Sequence, residues 1–209
     1  MKTNSLFNNF NKILFIPCWS VGNVGQLCVD LIINSLKLKQ QVILQHEFLV
    51  PYVAPPIYDH IKSPTFAATI YGNEEMNVIQ LRSTFIASKY LKFCKDFAEF
   101  IKSLQPTEVV FLYSSSKGEL GDILFSNNDK VIEKSPITKE LYSRLSKNNV
   151  KCHIVHCTCY EGDNRPDAIQ MYSFLNKEYH WNKEIKAVQS WNNSTLWGEL
   201  EEEVRAVMF

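Results

Sequence analysis

The chain has 209 residues, 45% of them hydrophobic and 21% charged, with 22 lysines and arginines against 22 aspartates and glutamates. That length fits one large domain able to bury a full-size core. The zero formal net charge gives no general attraction to nucleic acid or an acidic membrane, and no segment reaches the roughly 18 consecutive apolar residues of a membrane span. Neither a nucleic acid nor a membrane is therefore expected as a partner. The opening residues MKTNSLFNNFNK lack the apolar region of a secretory signal. Cys18, Cys28, Cys94, Cys152, Cys157 and Cys159 are accordingly expected as reduced thiols, in a protein of the cytoplasm and also the nucleus.

Ile13 to Cys18 is predicted to be a buried strand. A turn holding Gly22 and Gly25 leads into a helix over about Val24 to Lys37, where Leu27, Leu31 and Leu38 fall near helical spacing. Gln41 to His46 reads as a second strand, and Leu49, Val50 and Pro51 continue extended. Pro51, Pro55, Pro56 and Tyr58 make Tyr52 to Ser63 a rigid loop. Thr65 to Tyr71 and Met76 to Arg82 form a hairpin about Gly72, Asn73 and Glu74. Tyr90 to Ser103 is an amphipathic helix with Leu91, Cys94, Phe97, Ala98 and Ile101 on one face, closed by Pro106. Glu108 to Tyr113 is a central strand that runs into the polar loop Ser114 to Gly118.

Lys117 to Lys130 is polar, and Lys139 to Lys147 is a modest helix. His153 to Tyr160 is a further strand, followed by a turn through Glu161 to Pro166 and a helix over about Asp167 to Tyr179. The tail from Trp181 carries three tryptophans and a last helix near Leu196 to Val207. Strands alternating with helices give an α/β fold, a single domain with a mixed, largely parallel sheet and helices on both faces, Rossmann-like or nucleoside-phosphorylase-like. Residues 1–190 form that domain, and residues 191–209 a C-terminal helix with an apolar docking tail.

Three clusters invite a chemical reading. Gly22 and Gly25 form a G-x-x-G turn, with Glu47 near the place of a ribose-binding acid. The full G-x-G-x-x-G is absent, and a tight strand-to-helix turn accounts for both glycines. Ser114, Ser115 and Ser116 end a predicted parallel strand, where α/β proteins place their sites. A serine nucleophile there needs a base such as His153 or His156, but there is no G-x-S-x-G elbow, and serines at strand ends serve as turn formers. KCHIVHCTCY, Lys151 to Tyr160, holds three cysteines and two histidines. Strand alternation puts Cys152, Ile154, His156 and Thr158 on one face and His153, Val155, Cys157 and Cys159 on the other. That divides the ligands, and no C-x-x-C pair exists. The acidic turn Glu161 to Asp167 lacks the ligand spacing of a calcium loop; Asn164 or Asp167 caps the next helix, with Pro166 in its first turn. No metal or cofactor is implied.

Several segments together resemble one family, proteasome assembly chaperone 2. They are Ser20-Val21-Gly22-Asn23-Val24-Gly25-Gln26-Leu27 with Asp30 to Ile33, then Gln80-Leu81-Arg82-Ser83 with Phe85 and Ile86. Phe93-Cys94-Lys95 and Leu112 to Ser116 follow, then Glu161 to Asn164 with Pro166-Asp167-Ala168, Ser190-Trp191 and Trp197-Gly198. The stretch between Ser116 and Lys151 is shorter than in longer family members.

The resemblance implies a non-enzymatic chaperone of 20S proteasome assembly that pairs with proteasome assembly chaperone 1. It implies that the heterodimer promotes α-ring formation, sits on the outer face of the α subunits and inserts an apolar C-terminal tripeptide between them. The tripeptide here is Val207, Met208 and Phe209, with Met208 where the strict motif has tyrosine. Ser20, Gly22, Asn23, Gly25, Gln80, Arg82 and Phe85 are the expected heterodimer or family-motif residues. The competing reading is a nucleotide- or nucleoside-using enzyme on a Rossmann-like fold, which fold class alone does not exclude.

Overall fold

Short runs of apolar residues separated by amphipathic segments dictate a buried sheet with helices to cover it. The computed structural model describes residues 2–3, 12–132, 134–188 and 191. Among these the strands are β1 (Lys2–Thr3), β2 (Ile13–Pro17), β3 (Lys39–Gln45), β4 (Val53–Ala54), β5 (Thr65–Phe66), β6 (Ala68–Gly72), β7 (Met76–Leu81), β8 (Glu108–Ser115), β9 (Ile123–Ser126) and β10 (Cys152–Thr158). The helices are α1 (Val24–Ser35), α2 (Tyr90–Ser103), α3 (Pro136–Lys147) and α4 (Arg165–Glu178).

Eight strands form one sheet in the order β1-β3-β6-β7-β2-β8-β10-β9, while β4 and β5 form a separate ribbon. The central four, β7, β2, β8 and β10, run parallel. The flanking pairs are antiparallel, including the β6–β7 hairpin. Strands covered on both faces read as continuous apolar runs, and β7 and β10 are buried throughout their length.

Alternation along the strands makes two cores. Leu14, Ile16, Val109, Phe111, Tyr113 and Ile154 face α2 and α3. Phe15, Val110, Leu112, Val155 and Cys157 face α1 and α4. The α2 stripe of Phe93, Cys94, Phe97, Ala98 and Ile101 is fully packed, each large side chain contributing about 1.5–3 kcal/mol by burial.

The helices share one stop device. Lys37, Gln105, Asn149 and His180 follow α1, α2, α3 and α4 with φ of 51°, 50°, 60° and 54°. After α1, α3 and α4 the next N–H returns five residues: Leu38 to Ile33 O at 3.0 Å, Val150 to Leu145 O at 3.1 Å and Trp181 to Asn176 O at 3.1 Å. That is the left-handed helix stop which satisfies the last carbonyls. After α2 the next residue is Pro106, which has no N–H to donate.

Two sequence expectations are corrected. Lys117 to Lys130, read only as polar, contains β9, because Ile123 to Ser126 finds an antiparallel partner in β10. Helix α3 begins at Pro136, ahead of the expected Lys139, since proline suits a first helical turn. The expected last helix and the tripeptide Val207, Met208 and Phe209 lie outside the described residues.

Candidate functional site

The carboxyl ends of β2, β8 and β10 open on a cleft of about 710 Å³. Trp19, Tyr113 and Ile137 give it an apolar wall, and Ser115, His156 and Lys117 give it polar groups. Carboxyl ends of parallel strands are where α/β proteins hold ligands. In the β8–β10 register Ser115 lies opposite Thr158, and His156 lies opposite Tyr113. Ser115 and His156 are thus diagonal neighbours on one face, with Ser115 Oγ 2.8 Å from His156 Nε2. Burial lowers the His156 pKa, against the opposing charge of Asp122, so the ring is neutral at neutral pH.

The three consecutive serines have different surroundings. Ser114, on the opposite face, donates from Oγ to Val21 O at 2.5 Å, and its N–H donates to Ser20 Oγ at 3.1 Å. Ser20 and Ser114 hydroxyls are 2.8 Å apart. This pair clamps the turn after β2 onto β8. Ser115 also accepts from the Lys117 N–H at 3.3 Å, and Ser116 is exposed.

The turn itself is built by close approach. Gly22 has φ 66° and Asn23 φ 51°, and a Cβ on Gly22 would run into the side-chain amide of Asn164. A Cβ on Gly25 would lie 2.6 Å from Leu112 O, the carbonyl that accepts the Cys18 N–H at 2.9 Å. The two glycines therefore let α1 settle against β8 and the turn before α4. The dinucleotide arrangement is not assembled: β7 and β6 separate β3 from β2. Glu47, past β3, pairs instead with Lys92 at 2.7 Å.

Gln80 and Arg82 converge on a buried carboxylate of α1. Asp30 is a lone carboxylate in the apolar run of α1 and is almost fully buried. It accepts from Tyr58 Oη at 2.7 Å, from Gln80 Nε2 at 2.5 Å and from the Arg82 guanidinium. Gln80 also donates to Gln26 O at 3.1 Å. An aspartate in the middle of CVDLII was the sequence signal, since a buried carboxylate needs such partners. Tyr58, in the expected rigid loop, is buried by this network. Phe85 is also buried; it stacks on Phe93 at 5.2 Å and meets the edge of Trp19 at 4.9 Å.

Strand β10 divides its side chains as alternation requires. Cys152 and Ile154 belong to one core, and Val155, Cys157 and Cys159 to the other. Burial pushes the thiols of Cys18 and Cys157 up to about 12 and that of Cys152 to about 11. Among the described residues no cluster of histidine, cysteine and carboxylate has metal-binding geometry. The Glu161 to Asp167 turn is held internally: Asn164 Nδ2 donates to Tyr160 O at 2.7 Å and to Asp167 Oδ2 at 3.1 Å. Arg165 Nη1 donates to Trp191 O at 2.9 Å, which anchors the start of the tail beside α4.

Several large apolar side chains are exposed around the start of α2 in the sequence and in the segment after β3. The Val50 N–H donates to Thr84 O at 3.0 Å, and the Ile86 N–H donates to Phe48 O at 2.9 Å. These bonds stitch segments 48–50 and 84–86 together. Val50 and Ile86, in those segments, are exposed, as are Tyr52 and Val53 close by in the sequence; Leu91, expected on the packed face of α2, is exposed in its first turn.

Residues 14–178 match the PAC2 family. Proteasome assembly chaperone 2 of Bos taurus is 28% identical over 210 residues, covering 78% of this chain and 80% of the relative. Its namesake from Homo sapiens is 27% identical over 210 residues, with the same coverage of 78% and 80%. Among solved structures, Pyrococcus furiosus PbaA, an archaeal homolog of proteasome-assembly chaperone, superposes with a TM-score of 0.70 at 15% identity, covering 99% of this chain and 96% of that one. Pyrococcus furiosus PbaB, an archaeal proteasome activator, gives 0.62 at 12% identity, covering 100% and 98%. At such identities the two structures establish the fold.

Proposed function

The chain belongs to the PAC2 family, and from that premise we propose that it is a proteasome assembly chaperone. In this reading it pairs with proteasome assembly chaperone 1, and the heterodimer promotes α-ring formation and binds the outer face of the 20S α subunits. The observation that carries the proposal is the match to relatives named proteasome assembly chaperone 2 over about four-fifths of both chains.

Physical features support the two contacts it needs. The exposed Val50, Tyr52, Val53, Ile86 and Leu91 are apolar side chains of the kind a partner covers. Phe85 is buried directly before Ile86, while Asp30 ties Gln80 and Arg82 to α1 on the other face of the sheet. Ser20, Gly22, Asn23 and Gly25 set the turn from which α1 starts. In this reading these residues serve the heterodimer through the framework they hold rather than by touching the partner. The tripeptide Val207, Met208 and Phe209 supplies apolar burial and a terminal carboxylate to pair with an α-subunit lysine. Met208 forgoes the hydrogen bond of a tyrosine hydroxyl. The work is done in the cytoplasm and the nucleus, and needs no cofactor.

Co-expression with proteasome assembly chaperone 1 of the same organism tests the pairing. The expected product is a stable one-to-one complex on size exclusion, lost on Val53→Glu with Ile86→Glu while the single chain stays folded. Separate elution of the two unmodified chains would overturn it.

A further inference from the structure

The Ser115–His156 pair has no part in the chaperone role and stands independently of it. Ser115 ends the central parallel strand β8, opens on the 710 Å³ cleft and has its hydroxyl 2.8 Å from His156 Nε2. That is the distance between a serine nucleophile and its base. The imidazole is carried on a fixed backbone: β10 is paired on both sides, by β8 and by β9. Tyr113 lies against the ring at 5.7 Å between centroids. The other strand-end serine, Ser114, is committed to Ser20 and Val21 and has no histidine. Among the described residues Lys117, Lys130 and Lys134 also line the cleft, with Asp122 as the carboxylate, so the described lining carries more positive than negative charge.

From this juxtaposition we propose that Ser115 is an acyl-accepting nucleophile with His156 as its general base, acting on small esters that carry an acidic group. Ser115 Oγ attacks the ester carbonyl while its proton passes to His156 Nε2. The C–O bond to the leaving group breaks, and His156 gives the proton to the departing alkoxide. The product is an acyl ester on Ser115. Water, deprotonated by His156, then hydrolyses it to the free acid. The lysines line the same cleft, where their positive charge favours an acidic substrate. No oxidant, metal or cofactor enters the balance.

The test uses the full chain with 4-nitrophenyl acetate and, separately, a fluorophosphonate probe that ignores amines. The expected result is one acetyl or phosphonyl group on the peptide containing Ser115, with about one equivalent of nitrophenolate released in a burst. Ser115→Ala abolishes labelling, Ser116→Ala retains it, and His156→Gln slows it by about 10²-fold or more, the usual loss of a general base. Because the modified peptide is identified in the unmutated protein, the result does not depend on any variant folding. No fluorophosphonate adduct, or acetyl groups on lysines alone, would overturn the proposal.

Discussion

Gly22 and Asn164 are packed so tightly that the glycine has no room for a Cβ beside the asparagine amide. They are 142 residues apart in sequence, yet each belongs to a segment that carries the family resemblance. Gly22 shapes the turn into α1, and Asn164 precedes α4, its side chain held by Tyr160 O and Asp167. The two helices lie side by side on one face of the sheet, so this contact sets how their starts meet.

Gly22→Ala is therefore expected to destabilise the fold by more than the roughly 1–2 kcal/mol that a left-handed conformation costs a non-glycine residue. The same change made in an Asn164→Ala background removes the clash and costs less. Urea unfolding of the four proteins measures the coupling, expected in the range of about 0.5–3 kcal/mol for residues in contact. Additive effects would show that the contact is not what constrains Gly22.

Asp30 is the second structural centre. Asp30→Ala leaves Arg82 and Tyr58 without their shared acceptor, and removing one partner of a buried ion pair costs about 3–5 kcal/mol. Adding Arg82→Met removes the uncompensated cation and recovers part of the loss. Chemical denaturation checks both, and an Asp30→Ala protein of unchanged stability would contradict the network.

Much of this architecture was legible in the chain, and the exceptions have physical causes. Helix α2 is readable to its ends because one apolar stripe and Pro106 define it without outside help. Strand β9 is not readable, since Ile123 to Ser126 takes its extended form from pairing with β10. The glycine turn is visible, but its constraint is not: the atoms that exclude a Cβ come from Leu112 and Asn164, far along the sequence. Gln80, Arg82 and Asp30 all stand in family words, while their pairing is visible only with α1 laid on β7. Likewise, His156 was one of two candidate bases, and only the β8–β10 register brings it to Ser115 rather than to its neighbours.

Stability is expected to fall in mild acid. Burial lowers the pKa of His153 and of His156 below the ordinary value of 6.5. In the window between that value and the lower folded values, the unfolded chain binds more protons than the folded one. Stability therefore rises with pH across the window; this contribution is fully present above it and lost as pH falls through it. Unfolding midpoints measured from about pH 8 to about pH 5 should decline, with a shallower slope in His156→Gln.

The cysteines give a prediction of silence. All six are buried and unpaired by disulfides, and burial holds their thiols well above the usual range, up to about 12 for Cys18 and Cys94. The thiolate is the reactive form. A thiol reagent should find almost nothing in the native protein and six groups after unfolding in denaturant. Rapid reaction of the native protein would mean that one core opens readily.

The central claim is best tested at the tail. The intact chain and a version lacking Val207, Met208 and Phe209, each co-expressed with proteasome assembly chaperone 1, are offered to 20S α subunits in a pull-down. Capture of α subunits by the intact heterodimer, weakened or lost without the tripeptide, is the predicted result. Failure of the intact heterodimer to capture any α subunit would contradict the chaperone assignment, and equal capture by both versions would remove the tail from it.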